Sequence, residues 1–167
     1  MLKGVTLKPL KRFSDERGRF SEIMRQDWKD FLNEDPIVQA NFSTTYPGII
    51  RAWHRHNRGQ TDYFTVLKGA LKICAYDEAT AELDEIVSSG LDLQVLRIPG
   101  HYWHGFKVVG NETALLIYFT TRLYNNQTPD EERRSWNDLK IVPKLINGKK
   151  DDLRIGKPWD WNCSPNK

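Results

Sequence analysis

Residues 63–76 read YFTVLKGALKICAY, which is two short apolar runs separated by Lys68 and Gly69. Both runs are rich in aromatic and aliphatic side chains that favour strands, and the lysine–glycine pair between them favours a turn. The segment therefore predicts two strands joined by a turn.

Similar runs lie on both sides of this segment. They cover residues 37–45, 91–98 and 113–121. Helical patterning is confined to two short stretches, residues 27–33 and 130–139. A chain with so many short strands and so little helix predicts an antiparallel all-β barrel or jelly roll.

The composition fits one soluble domain and argues against several functional classes. The chain has 167 residues, of which 39% are hydrophobic and 28% charged, so we expect residues 1–167 to fold as a single domain. No apolar stretch reaches the roughly 18 residues that a membrane span needs, and we expect no membrane contact. The formal net charge of +3 is too small to require a nucleic-acid partner, although it suits an anionic small molecule.

The cysteines and the two chain ends carry further expectations. Cys74 and Cys163 are the only cysteines, which excludes a disulfide framework, and the first residues lack the apolar core of a signal peptide, so we expect a cytoplasmic protein. Residues 141–167 are rich in Lys, Gly, Pro and Trp. Because Trp159 and Trp161 are costly to expose, we expect this tail to wrap on the barrel as ordered coil.

All four histidines fall in two short segments next to turn residues. Residues 51–56 read RAWHRH and follow a Pro-Gly turn, and residues 99–106 read PGHYWHGF. On a strand, His54 and His56 point to the same face, because side chains alternate with a period of two. The clustering predicts a functional role for at least His54 or His104.

Six segments, taken in order along the chain, resemble the signature segments of the dTDP-4-dehydrorhamnose 3,5-epimerase family. They are Asp15-x-Arg17-Gly18-x-Phe20-x-Glu22, Gln39-x-Asn41-x-Ser43, Arg51-x-x-His54, residues 98–106, Tyr118 with Tyr124, and Trp136-Asn137-Asp138. No single segment is decisive, but six in the right order are specific.

The resemblance implies a cupin jelly roll, which is an antiparallel double-stranded β-helix, with its barrel core at about residues 35–125 and short peripheral helices. It also implies a homodimer and an isomerase that epimerises a nucleotide-linked, dTDP-like 4-keto-6-deoxy sugar for deoxysugar or polysaccharide synthesis. The family works without a metal or an organic cofactor. The sequence leaves open which sugar is used and whether C3, C5 or both are inverted.

The chemistry of this reaction accounts for the residue types. A 4-keto group acidifies the hydrogens on C3 and C5, so one group must remove a proton and another must return one on the opposite face of the ring. By resemblance, His54 is the base, Tyr118 is the acid, and Asp151 is a weak counterpart of the carboxylate that pairs with the base. The resemblance also implies that the substrate is bound by Arg17, Phe20, Glu22, Gln39, Asn41, Arg51, His104 and Tyr124. It places Glu131 or Glu132 at the nucleotide base. Arginine suits the diphosphate because its planar fork donates two hydrogen bonds at once.

Three positions depart from the family pattern near the base. Ala52 replaces a glycine, His56 replaces a glutamine, and Asp62 stands where the family has a lysine that helps to stabilise the enolate oxygen. An aspartate there would repel the enolate. Lys72 on the following strand is a possible substitute for the missing positive charge.

These departures open two alternatives. Three histidines and a carboxylate, His54, His56, Asp62 and His104, have the composition of the site that holds one divalent transition metal in metal-dependent cupins, which include isomerases and oxygenases. The other alternative is a nucleotide-sugar-binding cupin that lost catalysis with the lysine.

Overall fold

The computed structural model describes residues 1–162, and these residues form mainly antiparallel strands with very little helix. The strands are β1 (Thr6–Pro9), β2 (Phe13–Asp15), β3 (Gly18–Phe20), β4 (Gln39–Thr45), β5 (Ile50–Arg55), β6 (Thr61–Lys68), β7 (Ala70–Asp77), β8 (Glu82–Ser89), β9 (Gln94–Pro99), β10 (Trp103–Val109), β11 (Ala114–Thr120), β12 (Glu132–Arg133) and β13 (Leu145–Ile146). In the described part of the chain the α-helix α1 (Lys29–Leu32) has four residues, and no helix there is long and apolar enough to cross a bilayer.

Two sheets face each other and form the jelly roll. The five-stranded sheet has the order β1-β9-β6-β11-β4, and the six-stranded sheet has the order β12-β5-β10-β7-β8-β13. From β8 to β12 the chain alternates between the sheets, because β9 and β11 belong to the first sheet while β8, β10 and β12 belong to the second. The strands β2 and β3 form a separate hairpin. The predicted all-β jelly roll is confirmed.

The predicted strands coincide with β4, β6, β7, β9 and β11, and α1 lies within the predicted helical stretch 27–33. The helix predicted over 130–139 is wrong, because β12 pairs with the edge of β5 instead. Trp53 and Arg134 exchange two backbone hydrogen bonds of 3.1 and 2.9 Å at this edge. Strand β5 thereby satisfies backbone groups that a sheet edge would otherwise leave unpaired.

The side chains that point into the space between the sheets are apolar in one part of the barrel and polar in another. The apolar part is filled by side chains of both sheets: Phe64, Val66, Leu71, Ile73, Leu96, Ile98, Phe106 and Leu116. The same inward positions near one end of β5, β6, β10 and β11 carry polar side chains, so that end of the barrel is a cavity rather than a packed core.

The outward faces of both sheets are covered by chain segments. Helix α1 packs Leu32 against Tyr63 on the five-stranded sheet, where the Arg97 guanidinium binds Asp35 at 2.8 Å and the Tyr63 hydroxyl at 3.0 Å. Residues 141–162 lie across the six-stranded sheet.

Aromatic side chains hold this C-terminal segment on the sheet. Trp161 is fully buried, and its ring centroid lies 4.7 Å from that of Trp53 and 6.2 Å from that of Trp159. The Cys74 thiol is buried in the same layer, and Cys163 lies outside the described residues. The tail therefore closes an apolar layer that the strands alone would expose.

Replacing Trp161 by alanine should lower the free energy of unfolding by about 3–5 kcal/mol, because the variant leaves a cavity between the tail and β5. Urea unfolding followed by fluorescence measures the loss. The control is Leu153→Ala, which shortens a side chain that is 69% exposed in the same segment and should change little. Equal stabilities for the two variants would show that the tail does not support the sheet.

Candidate active site

A cavity of about 690 Å³ opens between the two sheets at the polar end of the barrel. Its walls come from β4, β5, β6 and β11 and from the segment that contains β12. The volume falls within the roughly 300–1,000 Å³ that is usual for small-molecule sites. The cavity is therefore large enough for a sugar nucleotide to enter in part or in full.

Two side chains with complementary proton chemistry occupy opposite walls of the cavity. His54 lies on β5 in the six-stranded sheet, directly opposite His104 on β10 in the strand register. Tyr118 lies on β11 in the five-stranded sheet, between Asn41 on β4 and Phe64 on β6. The Phe64 ring meets the Tyr118 ring edge-on at 5.7 Å and so limits how the phenol can turn.

A buried carboxylate joins two histidines on the cavity floor. Asp62 is 2% exposed, and its Oδ2 lies 3.1 Å from His104 Nε2 and 3.3 Å from His56 Nε2. Gln60 donates its amide to Asp62 Oδ1 at 2.7 Å. The His54 ring meets the His104 ring edge-on, with their centroids 4.1 Å apart.

Burial and neighbouring charges set the protonation states on the two walls. Burial and the charge of His104 hold the pKa of His54 well below its ordinary value, so the imidazole is neutral and has a free lone pair. Burial raises the pKa of Tyr118, and the charge of Asp62 adds to the rise, so the phenol keeps its proton. The cavity thus presents a neutral base on one wall and a protonated acid on the other.

On the cavity floor, the pKa of His56 is raised and the pKa of Asp62 is lowered. Burial alone would lower the pKa of His56, but the hydrogen bond and charge of Asp62 outweigh burial and raise it. Burial likewise opposes the ionised form of Asp62, and the bonds from His104 and His56 outweigh it and lower the pKa of that carboxyl. Asp62 is therefore an anion surrounded by histidines.

The cavity entrance is cationic. Arg51, Arg122 and Arg133 line it, and the Arg51 guanidinium donates to Ser43 Oγ at 3.3 Å. Sequence reasoning identified Arg51 but missed Arg122 and Arg133, since neither belongs to a recognisable motif and the fold alone brings them to the entrance. Several guanidinium groups around one opening suit a diphosphate.

Most of the residues to which the family resemblance assigns a role lie at this cavity. It is lined by Gln39, Asn41, Arg51, His54, Tyr118, Tyr124 and Glu131, with His104 fully buried behind His54. Gln39 is held by its own contacts, because its amide nitrogen donates to Asn41 Oδ1 at 2.8 Å and its oxygen accepts from the backbone of Tyr124 at 2.9 Å. Glu132 instead pairs with Arg55 at 2.8 Å.

Other predicted residues lie elsewhere. Arg17, Phe20 and Glu22 are exposed on and just after the β2–β3 hairpin, outside the cavity. Asp151 is exposed and does not line the cavity. Its segment follows a turn whose backbone is hydrogen-bonded to β8, whereas His54 faces the cavity from β5. The structure does not bring Asp151 to His54.

Lys72 also lies away from the cavity. Strand β7 turns Leu71 and Ile73 inward, so Lys72 between them faces the C-terminal tail. There its ammonium binds Glu85 at 3.1 Å and the carbonyl of Trp161 at 3.4 Å. Lys72 therefore does not supply the charge that the family's lysine would bring.

Comparison with known proteins identifies the family. The sequence profile of the dTDP-4-dehydrorhamnose 3,5-epimerase family matches residues 1–154. The probable low-salt glycan biosynthesis epimerase Agl13 of Haloferax volcanii is 43% identical over 134 residues, which are 77% of this chain and 85% of that protein. The spore coat polysaccharide biosynthesis protein SpsL of Bacillus subtilis is 36% identical over 146 residues, or 84% of this chain and 94% of that protein.

The fold is shared with solved structures. The dTDP-6-deoxy-D-glucose-3,5-epimerase RmlC from Legionella pneumophila, solved with dTDP-4-keto-L-rhamnose, superposes with a TM-score of 0.75. The superposition covers 90% of this chain and 86% of that one at 23% identity. This similarity supports the jelly-roll assignment.

Gly105 is a further position on which the site depends, because β5 and β10 approach closely there. A Cβ on Gly105 would lie 2.4 Å from Ala52 Cβ and 2.7 Å from the carbonyl oxygen of Arg51. Gly105→Ala should therefore cost about 1–3 kcal/mol of unfolding free energy and shift His54. Chemical denaturation measures the loss, and adding Ala52→Gly should restore part of it. A fully stable Gly105→Ala variant would contradict this packing.

Proposed function

The chain belongs to the dTDP-4-dehydrorhamnose 3,5-epimerase family and is an enzyme of the isomerase class, and we propose that it inverts C3, C5 or both in a nucleotide-linked, dTDP-like 4-keto-6-deoxy sugar. One observation carries the proposal. His54 and Tyr118 face the same cavity from opposite sheets, as base and acid must do to act on opposite faces of a sugar ring.

The mechanism uses the protonation states described above. The neutral His54 imidazole removes the proton next to the 4-keto group, which leaves an enolate whose charge lies largely on the keto oxygen. The protonated Tyr118 phenol then returns a proton to the same carbon from the other face. The reaction neither gains nor loses electrons, so side chains suffice for the proton transfers and no organic cofactor is required.

Substrate binding follows from the cationic entrance. Arg51, with Arg122 and Arg133 beside it, binds the diphosphate, and Gln39 and Asn41 bind on the wall next to Tyr118. Glu131 lines the cavity, where it pairs with Arg133 at 2.7 Å, whereas Glu132 pairs with Arg55 at 2.8 Å and does not line it. Glu131 is therefore the acidic residue placed to reach the nucleotide base.

The names of the relatives point to a biological context. Agl13 is a glycan biosynthesis epimerase and SpsL is a spore coat polysaccharide biosynthesis protein. The sugar made by this chain accordingly serves a surface glycan or polysaccharide. The enzyme works in the cytoplasm, which agrees with the unpaired, buried Cys74 thiol and can be checked by cell fractionation.

A homodimer would account for features that one chain leaves unexplained. Strand β4 is an edge of the five-stranded sheet, and its outward Phe42 is 63% exposed. On the hairpin, Phe20 is also 63% exposed, and Arg17 lies beside it without reaching the chain's own cavity. A second copy on this side would cover the apolar edge and bring hairpin residues to a cavity. Sedimentation should give a species of two 19.5 kDa chains, and a monomer at micromolar concentration would contradict the dimer.

Deuterium exchange tests the reaction itself. In D₂O, proton NMR of dTDP-4-keto-6-deoxyglucose with the enzyme should show the C3 and C5 signals decay as deuterium enters. Exchange at both carbons identifies a 3,5-epimerase, and exchange at one identifies a single-site epimerase. No exchange at either carbon would overturn the assignment of this substrate and would favour a non-catalytic binding protein.

Two variants separate the roles of the opposing walls. His54→Ala should slow exchange by about 10²–10⁴-fold without unfolding the protein, because the base is lost. Tyr118→Phe should still exchange protons but should not invert the carbon. The control is His101→Ala, which removes an exposed histidine outside the cavity. Full turnover in both test variants would remove them from the mechanism.

Arg51→Ala should weaken the binding of dTDP by about 1.5–3 kcal/mol, the range for a hydrogen bond to a charged group. Isothermal titration calorimetry measures the dissociation constant. Arg12→Ala removes the same charge outside the cavity and should bind dTDP as the wild type does. An unchanged constant for Arg51→Ala would exclude it from the phosphate site.

A further inference from the structure

The group on the cavity floor has more nitrogen lone pairs than proton donors to satisfy them. His54, His56, Asp62 and His104 each offer one ligand atom, and all four atoms lie within 4.8 Å of one another. Asp62 and His104 are 2% and 0% exposed, so water does not reach this group freely. Buried polar atoms of this kind need partners inside the protein.

Hydrogen-bond geometry fixes how the two inner histidines are turned. His104 Nδ1 lies 2.8 Å from the carbonyl oxygen of Tyr102, and His56 Nδ1 lies 2.5 Å from that of Asp130. A carbonyl only accepts, so each Nδ1 carries a hydrogen. In the neutral ring each Nε2 then has a lone pair, and both Nε2 atoms are directed at Asp62.

This arrangement requires a positive charge at Asp62. Gln60 can donate one amide hydrogen to His56 Nε2 at 3.1 Å and another to Asp62 Oδ1 at 2.7 Å. The His104 lone pair and the Asp62 Oδ2 lone pairs, 3.1 Å apart, would repel each other. Either a proton on His104 or a metal ion between these atoms removes the repulsion.

The spacing matches metal coordination. Metal–nitrogen and metal–oxygen bonds of about 2.1 Å at right angles place neighbouring ligand atoms about 3 Å apart. The distances from Asp62 Oδ2 to the two Nε2 atoms are 3.1 and 3.3 Å. Histidines that bind metals also donate the other ring nitrogen to a carbonyl or carboxylate, as His56 and His104 do here.

We propose that His56, Asp62 and His104 bind one divalent first-row transition metal ion through Nε2, Oδ2 and Nε2. Two histidines and one carboxylate on one side of an ion leave coordination positions open. Because His56 and Asp62 line the cavity, those positions are open to a ligand in the cavity. His54 stays outside this set of three and keeps its lone pair.

The ion explains why an aspartate is tolerated where the family has a lysine. An ion at Asp62 would reverse the local charge and could stabilise the enolate oxygen, a role that rests on the proposed function. The binding site itself rests only on the contacts of the three ligands.

Metal titration of the tag-free protein tests the site. Protein stripped with a chelator and titrated with Zn²⁺, Mn²⁺ and Ni²⁺ in a calorimeter should bind one ion per chain. Asp62→Asn keeps the shape of the side chain and should weaken metal binding by more than about 100-fold. That loss exceeds the one usually seen when a residue that only hydrogen-bonds to a metal ligand is removed. The matched control, His101→Ala, removes the histidine outside the group and should bind as the wild type does. His54→Ala should also still bind.

Several outcomes would overturn the site. The first is that none of the three ions binds stoichiometrically. The second is that Asp62→Asn binds the ion as the wild type does, and the third is that His54→Ala does not bind it. Deuterium exchange distinguishes this failure from failure of the proposed function. Chelated protein that binds no ion yet exchanges at C3 or C5 overturns the metal site and leaves the epimerase intact. Protein that binds the ion but exchanges nothing supports the site and overturns the assignment of this substrate.

Discussion

The buried charge of Asp62 is the constraint on which the active site depends. A carboxylate that is 2% exposed is costly unless charged or hydrogen-bonding groups surround it, and here His56, His104 and Gln60 do so. These contacts fix the inner histidines, while burial holds the pKa of His54 well below its ordinary value. The neutral state of the proposed base follows from its own burial, which outweighs the opposing charge of Asp62 on the neighbouring sheet.

The layers outside the barrel cover the outward faces of the two sheets and leave the cavity open. The C-terminal segment covers the six-stranded sheet behind His54, and α1 covers the five-stranded sheet on its far side. Both layers lie on the outward faces, so neither blocks the entrance lined by arginines. Apolar packing is thus concentrated on the outward faces, and the end of the barrel that holds the cavity stays polar.

The proposed base and acid, His54 and Tyr118, match the family pattern, whereas two positions beside the base depart from it. A glutamine position holds His56 and a lysine position holds Asp62, and these two changes occur together in one contact of 3.3 Å. Together they make an anion with histidine partners, which is consistent with an exchange of the family's fixed cation for a proton or a metal ion.

Sequence alone determined the fold class and most of the cavity. The apolar runs predicted the central strands because alternation and side-chain type act locally, and the resemblance of the six segments to the family pointed to His54, Tyr118 and Arg51. Only the tertiary structure decided which groups meet. Asp62 faces the cavity and Lys72 faces away from it, because strand register sets which face a side chain occupies. Arg122 and Arg133 line the cavity entrance only in the folded chain. The stretch 130–139 and the position of Asp151 were decided by long-range pairing with β5 and β8, which no local pattern encodes.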